Sequence, residues 1–196
     1  MEPLYGQPKT WFGFLGATNH TVIGIRFMVT AIAFFFIGGV LAMLIRAQLA
    51  TPRSAFLGPE HYNQIFTMHG TTMIFMVIMP LSVSFFNFVI PLAIGARDVA
   101  FPRLNALSYW IFLFGAILMH MAFLVDQVPD AGWFSYANLT EKPFSINRGL
   151  DFWAIGLLVM GAASVAGALN FVVTIINLRA PGMSMMRMPV FVWMTL

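Results

Sequence analysis

Two of the four histidines in this chain sit where imidazole is out of place. His69 lies in Phe66-Thr-Met-His-Gly-Thr-Thr-Met-Ile-Phe-Met-Val77, and His120 in Leu118-Met-His-Met121, both within otherwise oily runs. Neutral imidazole has a free electron pair that can ligate a transition metal in apolar surroundings better than a carboxylate can. An ionisable group inside such a run is a functional candidate by default. For His69 two readings stand: a metal ligand, or a neutral histidine bonded to a carbonyl or to a threonine such as Thr72 on its own helix face. His120 has no polar companion one turn away and reads as packed. His20 and His61 fall at run boundaries and read as solvated or capping groups.

Amides form the second pattern. Asn87 follows His69 by about five helical turns, which puts the two on one face about 27 Å apart, approximately so because Pro80 intervenes. Asn170, Thr174 and Asn177 share a narrow stripe by the same geometry. Amides that hold water, leading from a loop carboxylate at Asp98, suit a proton path, and interhelical hydrogen bonding accounts for the same residues without transport. Arg46 ends an apolar run, as a snorkelling side chain or as a partner for an anionic or carbonyl-bearing cofactor. Trp133 and Tyr136 read as interfacial aromatics. The fifteen methionines scatter through every run and read as core filling.

The elements that must position these groups are membrane helices. Hydrophobic residues make up 60% of the 196, charged residues only 9%, and the mean hydropathy is +0.84. A bilayer core needs about 20 apolar residues per helix, and runs at about 22 to 48, 65 to 95, 104 to 125 and 150 to 178 supply four. A further run opens at Pro189 and reaches only Leu196, about 12 Å of helix, so the expectation is the N-terminal part of a longer polytopic protein. The fold class is all-α: a transmembrane helical bundle of four complete spans plus the start of a fifth, with residues 1–196 forming part of a single membrane domain. Span two should kink at Pro80 and end near Pro91.

The absence of cysteine excludes disulfides, thiolate metal sites and c-type haem attachment. The first twenty residues lack the order of a cleaved signal. A net charge of +3 is too small to suggest nucleic acid. With the N-terminus inside, Lys9, Arg26, Arg97, Arg103, Arg179 and Arg187 are inner, whereas Arg46, Arg53, Lys142 and Arg148 are outer, a modest positive-inside bias.

His61-Tyr-Asn-Gln-Ile-Phe-Thr-Met-His-Gly70 and Ile94-Gly-Ala-Arg-Asp-Val-Ala-Phe-Pro-Arg-Leu-Asn105 resemble subunit I of the haem-copper terminal oxidases. The resemblance continues through Ala131-Gly-Trp133, Gly167-Ala-Leu-Asn-Phe171, Arg179-Ala-Pro-Gly-Met183 and Met188-Pro-Val-Phe-Val-Trp193, in order over nearly the whole chain. It implies that His69 is one axial ligand of the low-spin haem, haem a in the cytochrome c oxidases. It further implies that Arg46 bonds the formyl group of that haem, that Tyr62 lies near its propionates, and that Trp133 lies beside the propionates of the oxygen-binding haem. Asp98 resembles the mouth of the D proton channel, with Asn87, Asn105, Ser164 and Asn170 lining its lower part.

The implied reaction is reduction of oxygen to water with electrons from cytochrome c, coupled to proton pumping. The implied partners are oxidase subunits II and III, cytochrome c and membrane lipid, and the implied location is a bacterial plasma membrane with the N-terminus cytoplasmic. In the family the second low-spin haem ligand, the ligand of the oxygen-binding haem, the copper histidines, the cross-linked tyrosine and the terminal glutamate of the channel lie beyond Leu196, so no catalytic residue is assigned. A quinol oxidase is the nearest rival. Its quinone site shares His61 and Gln64 but also uses an Arg and an Asp in span one, where this chain has Ile37 and Leu41. A non-catalytic haem-binding or assembly fragment is the reading from another class. A di-haem b-type cytochrome fails for want of four histidines inside spans.

Overall fold

The computed structural model describes residues 10–196; the N-terminal reading and the charges of Glu2 and Lys9 lie outside the described residues. Its helices are α1 (Trp11–Gly16), α2 (His20–Gln48), α3 (Pro59–Thr71), α4 (Met79–Ile94), α5 (Pro102–His120), α6 (Gly149–Asn177) and α7 (Val190–Thr195), with no strand among the described residues. Four stretches are long and apolar enough to cross a membrane: His20–Gln48, Pro59–Ile94, Pro102–Phe123 and Gly149–Asn177. The all-α, membrane-spanning expectation therefore holds, with boundaries a few residues wider than the apolar runs in span two.

That widening has a local cause. Gly58 precedes α3, Pro59 occupies its first turn and Glu60 follows. Proline at the first helical position has no amide to leave unpaired, and a carboxylate there meets the positive end of the helix dipole. Polar residues thus start the helix before the oily run begins.

Ahead of Pro80, where a kink is expected, the helix departs from α geometry. Thr72–Ile78 is a π-helical stretch, closed by the Met79 amide donating to the Ile74 carbonyl five residues back. A widened turn ahead of a proline makes room for the ring and for the hydrogen bond it cannot donate. It also interrupts the regular α-helical period on which the spacing of His69 and Asn87 is read. Span two ends near Pro91 as expected, α4 running past it to Ile94. The end comes at Gly95, whose φ of +72° favours glycine, with the Ala96 amide donating to the Pro91 carbonyl at 2.8 Å.

The chain divides into two compact units. One comprises the chain up to Val29, Leu81–Phe112 and Gly161–Leu196. Its core holds Ile90, Ile94, Val99, Phe171, Ile175, Met188 and Val192. The Ala180 amide donates to the Ile94 carbonyl at 2.8 Å, and Arg179 donates to the Ile175 and Met183 carbonyls, closing the end of α6. Arg26, 2% exposed, donates to the Phe14 carbonyl, with its guanidinium 5.3 Å and 5.7 Å from the ring centres of Phe14 and Tyr109. It thereby satisfies a carbonyl that the end of α1 leaves without a partner in that helix.

The other unit comprises Thr30–Pro80 and Leu113–Met160. In it Thr67 and Thr71, one turn apart on α3, receive the Gly132 amide at 2.8 Å and the Trp153 indole N–H at 3.4 Å. Close approach of α5 and α6 depends on small residues: a Cβ on Gly115 would lie 2.8 Å from Met160, and one on Gly156 would lie 3.0 Å from Met119.

Candidate functional site

His69 is half-buried on α3, and its Nδ1 lies 2.9 Å from the carbonyl oxygen of Gly38 on α2. A carbonyl can only accept, so Nδ1 carries a proton, and in the neutral ring the lone pair is on Nε2. This tautomer, oriented by a backbone carbonyl, is the usual state of a metal-ligating histidine. Of the two readings open in the sequence, the bond to a carbonyl is present, but it comes from another helix. Thr72 is engaged elsewhere.

Among the described residues no three His, Cys, Asp or Glu side chains converge on one point. A lone imidazole would fit a haem iron, to which His69 would supply one nitrogen while the macrocycle supplied its own four.

Two glycines make room at this place. A Cβ on Gly38 would lie 2.7 Å from the Met73 sulfur, and one on Gly70 would lie 2.9 Å from Trp133 Cβ. Trp133 therefore packs directly against α3 beside His69, and its ring centre is 6.5 Å from that of Phe75. Tyr62 is half-buried about two turns before His69. Its ring stacks on Phe66 at 6.5 Å. Arg46 is exposed in the last turn of α2.

His120 is bonded after all. Its Nδ1 lies 3.0 Å from the Ala116 carbonyl, and its Nε2 lies 3.3 Å from the Thr72 hydroxyl on the neighbouring span. Sequence spacing looks only along one helix, and the partner lies across to another.

The second site belongs to the first unit. Asp98 lies in the loop between α4 and α5, half-buried, where its Oδ1 accepts from the amides of Val99 at 2.8 Å and His20 at 3.3 Å. Burial pushes its carboxyl up from the ordinary value, against the opposing pull of the Val99 amide and of His20. His20, expected at a solvated boundary, is 1% exposed, and its Nδ1–H donates to the Asn87 carbonyl at 2.7 Å. The boundary of an oily run is thus inside the fold here, because the α4–α5 loop closes over it.

Asn105 Nδ2 donates to Asn87 Oδ1 at 2.6 Å, both residues being fully buried. Asn170 Oδ1 accepts from the Phe101 amide at 2.8 Å, and Thr174 Oγ1 accepts from the Ala100 amide at 2.9 Å. The loop that carries Asp98 is therefore held by the amide and hydroxyl of α6. Asn105 Oδ1 and Asn170 Nδ2 are buried without a partner among the described residues. Buried polar atoms of this kind ordinarily bind water. Ser164 and Asn177 are exposed and stand apart from this cluster.

The residues that spacing missed are Gly38 and His20. A glycine pair in an apolar helix, Gly38-Gly39, is the signal that a neighbour approaches closely.

Four helices long and apolar enough to cross a membrane define an integral membrane protein. Residues 22–196 match the family described as Cytochrome C and Quinol oxidase polypeptide I, and the chain belongs to that family of oxidase subunits. It is 48% identical to cytochrome c oxidase subunit 1 of Bacillus subtilis over 93% of its length. To a putative cytochrome c oxidase subunit 1-beta of Streptomyces coelicolor it is 50% identical over 90%, and to quinol oxidase subunit 1 of Bacillus subtilis 44% over 95%. The chain spans 29%, 31% and 29% of these relatives, respectively. Membership of this oxidoreductase family implies haem cofactors.

Proposed function

We propose that this chain carries one axial ligand of the low-spin haem, haem a, and the entrance of a proton path in a terminal oxidase that reduces oxygen to water with electrons from cytochrome c. The observation that supports this reading best is the His69–Gly38 bond, which orients the ring and, in the neutral imidazole, leaves the lone pair on Nε2. Bound there, haem supplies a one-electron relay. The protein's part is to fix the imidazole and exclude water, with Trp133 packed on Gly70 and Arg46 and Tyr62 serving the formyl and propionate groups.

Asp98 admits protons, and Asn87, Asn105 and Asn170 hold the water that passes them on, with Ser164 further along. The two buried amide atoms without protein partners support this role. The oxygen-binding haem and copper, together with oxidase subunits II and III, belong to the full-length assembly in a bacterial plasma membrane. Quinol oxidase relatives make quinol the rival donor. Ile37 and Leu41 can neither bond a quinone oxygen nor carry charge, which favours cytochrome c.

The test is His69→Ala in the full-length enzyme. The absorption band of the low-spin haem disappears from the reduced spectrum, and an unchanged low-spin spectrum overturns the assignment. Quinol turnover in the unsubstituted enzyme that persists after all cytochrome c is removed would overturn the choice of donor.

A further inference from the structure

His120 touches both helices that meet at His69, each one turn away from the contact that orients the ligand. Its ring centre lies 5.0 Å from that of Phe34, which precedes Gly38 by four residues on α2. Its Nε2 lies 3.3 Å from Thr72 Oγ1, and Thr72 follows His69 by three residues. Residues three or four apart on a helix share a face. His120 therefore braces the Gly38 face of α2 against the His69 end of α3.

The polarity of the brace is fixed. Nδ1 of His120 faces the Ala116 carbonyl at 3.0 Å and so carries the proton. Nε2 then accepts, and the Thr72 hydroxyl donates to it. A threonine in a helix otherwise tends to donate to a carbonyl of its own preceding turn, as Thr71 does to Thr67 at 2.8 Å. The Thr72 amide, meanwhile, donates to the His69 and Met68 carbonyls, at the point where the π-helical stretch begins. The hydroxyl is held away from the backbone at the turn where helix geometry changes.

We infer that His120 is a positioning residue for the haem ligand: through Thr72 and Phe34 it fixes the register of α3 against α2, and so the strength of the His69 Nδ1–H to Gly38 carbonyl bond. The inference rests on the proposed role of His69. A strong Nδ1–H bond makes the imidazole a better donor to iron and favours the oxidised metal. Loosening the brace weakens the bond, so the midpoint potential of the low-spin haem rises.

The experiment uses the full-length oxidase with Thr72→Val, Thr72→Ser, His120→Leu and the double variant Thr72→Val/His120→Leu. Haem content is measured chemically, the reduced low-spin band optically and the midpoint potential by redox titration. Thr72→Val and His120→Leu retain haem, shift the band and raise the potential, and the double variant shifts no further than His120→Leu alone. Thr72→Ser, which keeps the hydroxyl, matches the unsubstituted enzyme. Unchanged band and potential in Thr72→Val overturn the inference, as does a Thr72→Ser enzyme that behaves like Thr72→Val. Additive shifts in the double variant also overturn it. Should His120→Leu fail to assemble, the Thr72→Val and Thr72→Ser pair decides alone. His69→Ala separates the two levels: persistence of the low-spin haem there removes the reading of the ligand itself, whereas its loss there with an unshifted Thr72→Val removes only the brace.

Discussion

At Asp98 the balance between burial and hydrogen bonding decides the proton affinity, and burial wins. The carboxyl is held above its ordinary 3.8 although two amides donate to it. The sign of the consequence follows by linkage. Because the folded state binds this proton more tightly than the unfolded state does, its contribution to stability is complete below pH 3.8 and is lost as pH rises through the higher folded value. Asp98→Asn abolishes that slope, so denaturation of the full-length enzyme followed over this range should be flatter in the variant. Equal slopes would show that the carboxyl titrates normally. The identity of Asp98 as a loop carboxylate was legible in the chain, as was the oddity of His69. What was not legible is what faces them: the Gly38 carbonyl and the His20 amide belong to backbone, and backbone carries no residue-type signal for the partner it meets.

Elements were legible to the extent that hydrophobicity draws them. Each of the four long apolar runs is a helix, because in hydrocarbon only a helix satisfies every amide within one segment. Polar starts such as Pro59-Glu60 and the π-helical stretch Thr72–Ile78 escaped a hydropathy reading, since one is a capping effect and the other depends on the carbonyls around Pro80. Glycines divide in the same way. Gly149 opens α6, and a Cβ there would lie 2.6 Å from the Pro129 nitrogen and the Val128 carbonyl carbon, both backbone atoms that no rotamer change can move. Gly149→Ala should therefore lower stability by about 1–3 kcal/mol, the usual cost of forced overpacking. Gly161, in the same helix, has nothing within 4 Å of its Cβ position. Gly161→Ala should be neutral or mildly stabilising, alanine being the better helix former. Thermal unfolding of the two variants in detergent checks both, and a Gly149→Ala protein as stable as Gly161→Ala would show that the loop before α6 gives way freely.

For the whole molecule the open physical quantity is its direction across the membrane. Arg97, Arg103, Arg179 and Arg187 flank the segments around α4–α5 and α6–α7, while Arg53, Lys142 and Arg148 flank those around α2–α3 and α5–α6. Positive charge is retained on the cytoplasmic side during insertion, so this distribution favours α4–α5 and α6–α7 as the inner connections. The bias is small, and a direct measurement is stronger than the rule. The chain has no cysteine, so a single introduced thiol reports its own side of the membrane without background from residues 1–196. Ile146, 86% exposed between α5 and α6, and Met186, 88% exposed between α6 and α7, supply suitable positions. In intact bacterial cells with the outer face accessible, a membrane-impermeant maleimide should label Ile146→Cys at once. It should label Met186→Cys only after the membrane is opened. The reverse pattern would place the N-terminus outside, and with it Asp98 on the side from which a cytoplasmic proton could not enter, against the proposed role of that residue.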